Sequence, residues 1–496
     1  MTAPSHSLAF RAALAVALMF GFYVVAIGFA LGLLWLPYAE VVYVRRLHFQ
    51  LAAFCIGGAF VILWAILPRP DRFKAPGPRL TAPTQPRLFE TIQGVAKLTN
   101  QAMPAEVYLV PEVNAWVAQR GGVMGFGSRR VMGVGLPLLQ VLSVSEFRAV
   151  LAHEFGHYYG GDTQLGPWIY KTRAAIGRTL QGLARHSSVL QAPFLWYAHL
   201  FLWISHAVSR QQELMADELA ARNVGGLALA GGLKKVHGAA LAYGPYWLGE
   251  VVPCLNAGYL PPVAEGFGRF VSSAAVARGL ATETDRALTD RASDPYDSHP
   301  PLRERIMNLE ALAPGDRADD DSPSISLLTE IDVLERGLLG ARADKSQVDA
   351  LKPVRWAEVG ERIYQPMWSE VARRHRGPLV LPPVEALAGR AKDLADVLAR
   401  VTAQAGDAVA PPAVRQQRGV WTLGVILADA LVRRGWSLHM NPGEPPLLQG
   451  PLGTLEPLRV IAALVSGEMD AQAWSRRCTD LGIDGMSLAS EERPEP

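Results

Sequence analysis

The stretch RAVLAHEFGHYYGGD, residues 148–162, places His153 and His157 four positions apart with Glu154 directly after the first. On a helix, side chains four apart lie above one another on one face. Both imidazoles can therefore direct a ring nitrogen at one metal ion, and Glu154 can reach a water bound to that ion. An ion with an open position lowers the pKa of such a water, and a neighbouring carboxylate can take its proton. The pattern fixes only three positions, so an ordinary helix carrying two histidines and a glutamate satisfies it equally well. Two histidines are also an incomplete site, and a third ligand has to come from elsewhere.

Three residues after His157 stands Gly160, and three after that Thr163, where the metzincin pattern needs a histidine. That class is excluded. Asp162 is one residue out of register for the aspartate variant and remains a weaker alternative. A better candidate lies in SRQQELMADELAARN, residues 209–223, where Glu213 and Asp217 are four apart and flanked by Leu214, Met215, Ala216, Leu219 and Ala220. Such a pair is ordinarily a solvated acidic face. On a helix buried on one side, roughly one helical hairpin after the two histidines, these carboxylates suit a metal site better.

The elements that must position these groups are legible in part. Ser143 and Glu146 have the spacing of a capping box, so a helix starts there, with Phe147, Val150, Leu151 and Phe155 on its buried side. Upstream, Leu88, Ile92, Val95 and Leu98 form one helical stripe. AEVYLVPEVNAWVAQ reads as strand, turn and strand, and RRVMGVGLPLLQVL as a short strand running into a helix. The region 160–209 is mostly helical and ends in PFLWYAHLFLWISHAVSR. Its apolar core, 194–208, is read as a core or interfacial helix, the other reading being a third membrane segment. GDRADDDSPS at 315–324 marks an acidic break and a domain boundary.

A chain of 496 residues exceeds one ordinary core, so two or three folded units are expected. The net charge of +2, with basic residues scattered, gives no footprint for nucleic acid. Cys55, Cys254 and Cys478 form no CxxC pair and are far apart in sequence, which argues against a disulfide framework or a cysteine zinc site. Two uncharged runs at about 12–36 and 48–67 are each long enough to cross a hydrocarbon core of about 30 Å, which predicts a membrane hairpin over 1–68. A cleaved signal peptide fits poorly, because the first run is too long and a second span follows. Arg11 before the hairpin and Arg69, Arg72, Lys74, Arg79 and Arg87 after it place both ends inside, so the remainder would be cytoplasmic. Residues 69–87, rich in proline and basic side chains, read as a juxtamembrane linker.

Taken together, HEFGH, SRQQELMADELAA, SHPPLRERI at 298–306 and the NAW of Asn114, Ala115 and Trp116 resemble the motifs of the membrane-associated gluzincin metallopeptidases (peptidase family M48). That family includes the HtpX-type heat-shock proteases and the CAAX prenyl endopeptidases. The resemblance covers about residues 88–312 and does not extend past 320. It implies that one zinc ion per chain is bound by His153, His157 and Glu213, with Glu154 as general base. It further implies that Asp217 holds a ligand histidine, that His299 donates to the oxyanion, and that Arg305 anchors a carboxylate such as Asp217. Asn114, Ala115 and Trp116 would line the substrate strand.

The fold implied is mainly α with a small β-sheet: a gluzincin-type domain over 88–312 behind the membrane hairpin, plus an additional α-rich C-terminal region, 325–496. The prenyl endopeptidases have many more spans, which speaks against a CAAX substrate. The expected activity is hydrolysis of peptide bonds at a bacterial inner membrane, with misfolded or membrane proteins as substrates and the lipid bilayer as the other partner. The competing reading is a catalytically silent membrane scaffold or chaperone-like protein. An intramembrane protease is disfavoured, because Glu146, Arg148 and Asp162 bracket the histidines.

Overall fold

The computed structural model describes residues 6–67, 69, 71, 73–122, 127–158, 166–289, 300–312, 320–377, 379–402 and 411–489. Two apolar helices open it: α1 (His6–Ala39), followed by a short π-helical turn at Glu40–Val44, and α2 (Phe49–Ile66). Arg45, in the left-handed conformation at φ 53°, ends the first and lets the chain reverse. Two segments, Val16–Val44 and Phe49–Ile66, are long and apolar enough to cross a membrane.

These helices are not isolated. Phe22, Ala26, Cys55 and Ile62 are buried together with Leu183 of α6 (Gly166–His186) and Phe194 and Phe201 of α7 (Ser188–Asn223). The Tyr197 hydroxyl of α7 donates to the Leu18 carbonyl of α1 at 2.5 Å, and the His186 ring bonds the Phe54 carbonyl of α2 at 2.9 Å. The apolar stretch expected as a core or interfacial helix lies in the first part of α7. The same 36-residue helix carries Glu213 and Asp217 in its second half.

β1 (Arg79–Leu80) precedes α3 (Pro86–Leu98), and with β2 (Glu106–Val110), β3 (Ala115–Arg120) and β4 (Arg129–Gly135) after that helix it forms one sheet in the order β1-β2-β4-β3. β4 runs parallel to β2 and antiparallel to β3. The strand, turn and strand expected at 105–119 are present as β2, β3 and the turn between them; in the sheet β4 lies between the two strands, so they do not pair with each other. Gly135 permits the close approach this needs: a Cβ there would fall 2.0 Å from the Glu112 carbonyl oxygen. Part of the expected linker is folded as well. β1 pairs with β2, and Leu109 N–H donates to the Pro78 carbonyl at 3.0 Å. Proline cannot donate to a ladder, but it accepts at a sheet edge.

α4 (Leu136–Val141) leads into α5 (Val144–Gly156). The capping box at its start is present in full: Ser143 N–H donates to Glu146 at 2.8 Å and Glu146 N–H to the Ser143 hydroxyl at 3.3 Å. Phe147 and Phe155 are fully buried, each worth roughly 1.5–3 kcal/mol.

Packing divides the chain differently from the linear boundaries at 312 and 325. One unit holds Met1–Ala240 and Ala281–Arg342; the other holds Leu241–Leu280 and Ala343–Pro496. In the first, Ser324 donates to the Leu139 and Leu142 carbonyls at 3.0 and 2.8 Å, so the segment beyond the acidic break returns to α4. In the second, Tyr259–Leu260 pairs in parallel with Lys352–Pro353, and Trp356 Nε1 donates to the Pro262 carbonyl at 2.9 Å. That unit is largely helical, with a core around Leu423, Leu427, Ile461 and Trp474 and a three-stranded sheet of its own. These pairings join positions some ninety residues apart, which local composition cannot reveal.

Candidate metal centre

Two helices meet edge to edge to build the site. His153 and Glu154 lie in the last turn of α5, and His157 forms its C-cap. Glu213 and Asp217 face them from α7. The crossing is tight because residue 156 is glycine: a Cβ there would lie 2.9 Å from the Ala216 Cα. Gly156, which motif reading passes over, thus sets the distance between the helices that carry His153, His157, Glu213 and Asp217. In the sequence its signal is only the small residue of HEFGH set against the small Ala216 of the second motif.

The two imidazoles are roughly perpendicular, with centroids 4.8 Å apart. His153 Nε2 is 3.4 Å from one Glu213 oxygen and His157 Nε2 is 3.6 Å from the other. Behind them, His153 Nδ1 lies 2.8 Å from the Asp217 carboxylate. Arg305, on the helix Leu302–Glu310, holds Asp217 with both Nε (2.8 Å) and Nη2 (2.6 Å). All of His153, Glu213, Asp217 and Arg305 are buried. The structure so brings together His153, Glu154, His157, Glu213, Asp217 and Arg305. His299 and Asp162 lie outside the described residues.

Charge in this enclosure is strongly biased. Burial opposes a charged His153, yet the hydrogen bonds to Asp217 and Glu213 raise it to about 9. Burial and the charge of His153 push His157 down to about 4, which leaves a neutral ring. Burial would raise Glu213 too, but the hydrogen bond with His153 and the charges of His153, His157 and Arg305 hold it at about 2. Burial raises Glu154 to about 7, against the pull of His153 and with the push of Glu213.

Two imidazoles and a carboxylate, with a second carboxylate orienting one imidazole, are a donor set suited to zinc. The high pKa of His153 carries the same message, since this arrangement stabilises positive charge where a cation would sit. His153, Glu154 and His157 also form a group able to hold a metal, with ligand atoms within 4.8 Å of one another. The residues fit the ion.

Alongside runs β3, the last strand of its sheet. Asn114 is exposed just before it, Ala115 is buried, and the Trp116 indole covers Gly133 so closely that a Cβ there would fall 2.3 Å from the ring. The Val117 backbone makes a small contribution that lowers the Glu154 pKa, which places the strand beside the site.

Residues 82–313 match the family model described as Peptidase family M48. A protein named Protease HtpX from Idiomarina loihiensis is 35% identical over 116 residues, 22% of this chain and 38% of that protein. A Protease HtpX homolog from Tropheryma whipplei is 26% identical over 245 residues, 46% of this chain and 72% of its own length. Protease HtpX from Xanthomonas oryzae pv. oryzae is 28% identical over 287 residues, covering 52% and 84% respectively. No solved structure matches.

Proposed function

We propose, from the match of residues 82–313 to peptidase family M48, that this protein is a membrane-anchored zinc endopeptidase that cleaves misfolded or membrane proteins. The single observation that carries the reading is the convergence of His153, His157 and Glu213 from two helices beside the carboxyl of Glu154. His153, His157 and Glu213 would hold the ion. When bound, zinc supplies Lewis-acid polarisation of the scissile carbonyl and makes water a nucleophile near neutral pH.

The chain's own residues do the rest. Glu154, raised to about 7, is matched to accept a proton from water and to return it to the leaving amine. Asp217 fixes the His153 tautomer through Nδ1 and so keeps Nε2 free for the ion, while Arg305 keeps Asp217 in place. β3 offers an open edge, to which an extended peptide can add as a strand. The two N-terminal helices anchor this unit in the bilayer, with both ends of the hairpin and the site on the cytoplasmic face of a bacterial inner membrane.

The test uses full-length protein in detergent, with casein as substrate. Wild type should cleave it, lose activity to a chelator and recover with zinc. Glu154→Gln should keep the metal and lose nearly all turnover, because only the proton acceptor is removed. Zinc binding without any cleavage by the wild type would point instead to a silent scaffold.

A further inference from the structure

We propose that Tyr158 sets the point at which a bound peptide stops pairing with the β3 edge, and is thereby a specificity-determining residue; this rests on reading the site as a peptidase's. In an antiparallel pair, successive residues turn their N–H and C=O alternately toward the partner and away from it. Gly135 N–H donates to the Asn114 carbonyl at 2.9 Å, and the register continues as Trp116 opposite Gly133 and Ala118 opposite Val131. The backbone groups of Trp116 and Ala118 are therefore spent on β4. Those of Ala115, Val117 and Gln119 face the open edge, where among the described residues no strand pairs.

At Val117 that edge is already closed from within. The Tyr158 hydroxyl donates to the Val117 carbonyl at 2.9 Å. The phenol is held in this position: the Arg130 guanidinium lies 4.3 Å over its ring, and Arg130 Nη1 in turn donates to the Ala102 carbonyl at 2.9 Å. Among the described residues, the outward groups of Ala115 make no hydrogen bond. A peptide strand needs the acceptor that Tyr158 occupies, so its ladder reaches Ala115 and ends there. It leaves the edge at Val117, beside Glu154. On one side of the reacting bond the peptide is gripped by its backbone, whatever its sequence; beyond Val117 only its side chains can be read.

The experiment is a positional N-methyl scan of a fluorescent extended peptide, taken from a mapped casein cleavage site. Binding is read by anisotropy on zinc-loaded Glu154→Gln protein, so that nothing is turned over. With Tyr158 in place, one edge-pairing amide should be sensitive, its methylation weakening binding about three- to tenfold, as for one hydrogen bond. In Tyr158→Phe on the same background, a second sensitive amide should emerge two residues away. Arg130→Gln, which frees the ring without removing the hydroxyl, should shift the scan in the same direction to a smaller extent. An unchanged scan in both variants overturns the proposal, as does a wild-type scan that already shows both amides. A purely structural Tyr158 would lower zinc content or Tm and leave the scan as it was, which also counts against it. If no form binds peptide and wild type cuts no casein, the peptidase reading itself falls and takes the proposal with it.

Discussion

At the scale of single residues, the proposed site separates ligands from the groups that orient them. Asp217→Asn would keep the three proposed ligands but lose the carboxylate that holds His153 Nδ1. It should weaken zinc roughly 10- to 100-fold, the usual effect of losing such a partner, as read by competition with a chromophoric chelator. Unchanged affinity would leave Asp217 a mere buried charge partner of Arg305. A second expectation concerns protons. In metal-free protein His153 is protonated up to about pH 9, while His157 is neutral above about 4. Zinc needs both rings neutral, so uptake at pH 7.5 should release about one proton. Its affinity should rise about tenfold per pH unit and level off as pH passes the His153 value. Calorimetry in two buffers of different ionisation heat measures the released proton directly; none released would place the proton elsewhere. His153, Glu154 and His157 were legible because a helix with a four-residue spacing is local information. Glu213 and Asp217 stood out by their spacing on an apolar-flanked helix, while the division of roles between them and the place of Arg305 needed the family resemblance. Tyr158 escaped notice, because its partner Val117 lies 41 residues earlier on a strand whose outward face no local pattern shows.

At the scale of elements, the α5–α7 crossing decides whether His153, His157 and Glu213, the proposed ligands, can converge. Glycine to alanine inside a helix ordinarily gains up to about 1 kcal/mol of helix propensity. Gly156→Ala should nonetheless lose zinc, because its Cβ would sit 2.9 Å from the Ala216 backbone and force the two helices apart. Gly177→Ala on α6 is the control, since nothing lies within 4 Å of its Cβ, and it should bind zinc as wild type does. Zinc content by atomic absorption distinguishes them; full occupancy in Gly156→Ala would show that the crossing has slack. The capping box and the start of α5 were readable from Ser143 and Glu146 alone. The order of the strands was not: β4 enters between β2 and β3, and a one-dimensional pattern of apolar residues reads the same either way.

At the scale of the whole molecule, two units share one chain by interleaving, and this sets where it can be cut. Phe267 is fully buried, and the neighbouring Gly266 lies so close to Trp356 that a Cβ would fall 2.3 Å from the indole. A truncation at 325, the boundary that composition suggests, would strip Leu241–Leu280 of these partners. The truncated chain should aggregate or be degraded, as followed by size-exclusion chromatography; a monodisperse, zinc-loaded product would show that the interleaving is dispensable. The two long apolar helices were legible because length and apolarity are one-dimensional, whereas the docking of α6 and α7 against them depends on scattered contacts such as Tyr197 with Leu18. The most direct measurement of the central claim is the zinc content per chain of full-length wild type, Glu154→Gln and Glu213→Ala, purified side by side without added metal. Wild type and Glu154→Gln should each carry about one zinc, and Glu213→Ala should carry little, since one of three protein ligands is gone. Full zinc in Glu213→Ala would contradict the account, because α7 would then supply no ligand and the site would have to be built without it.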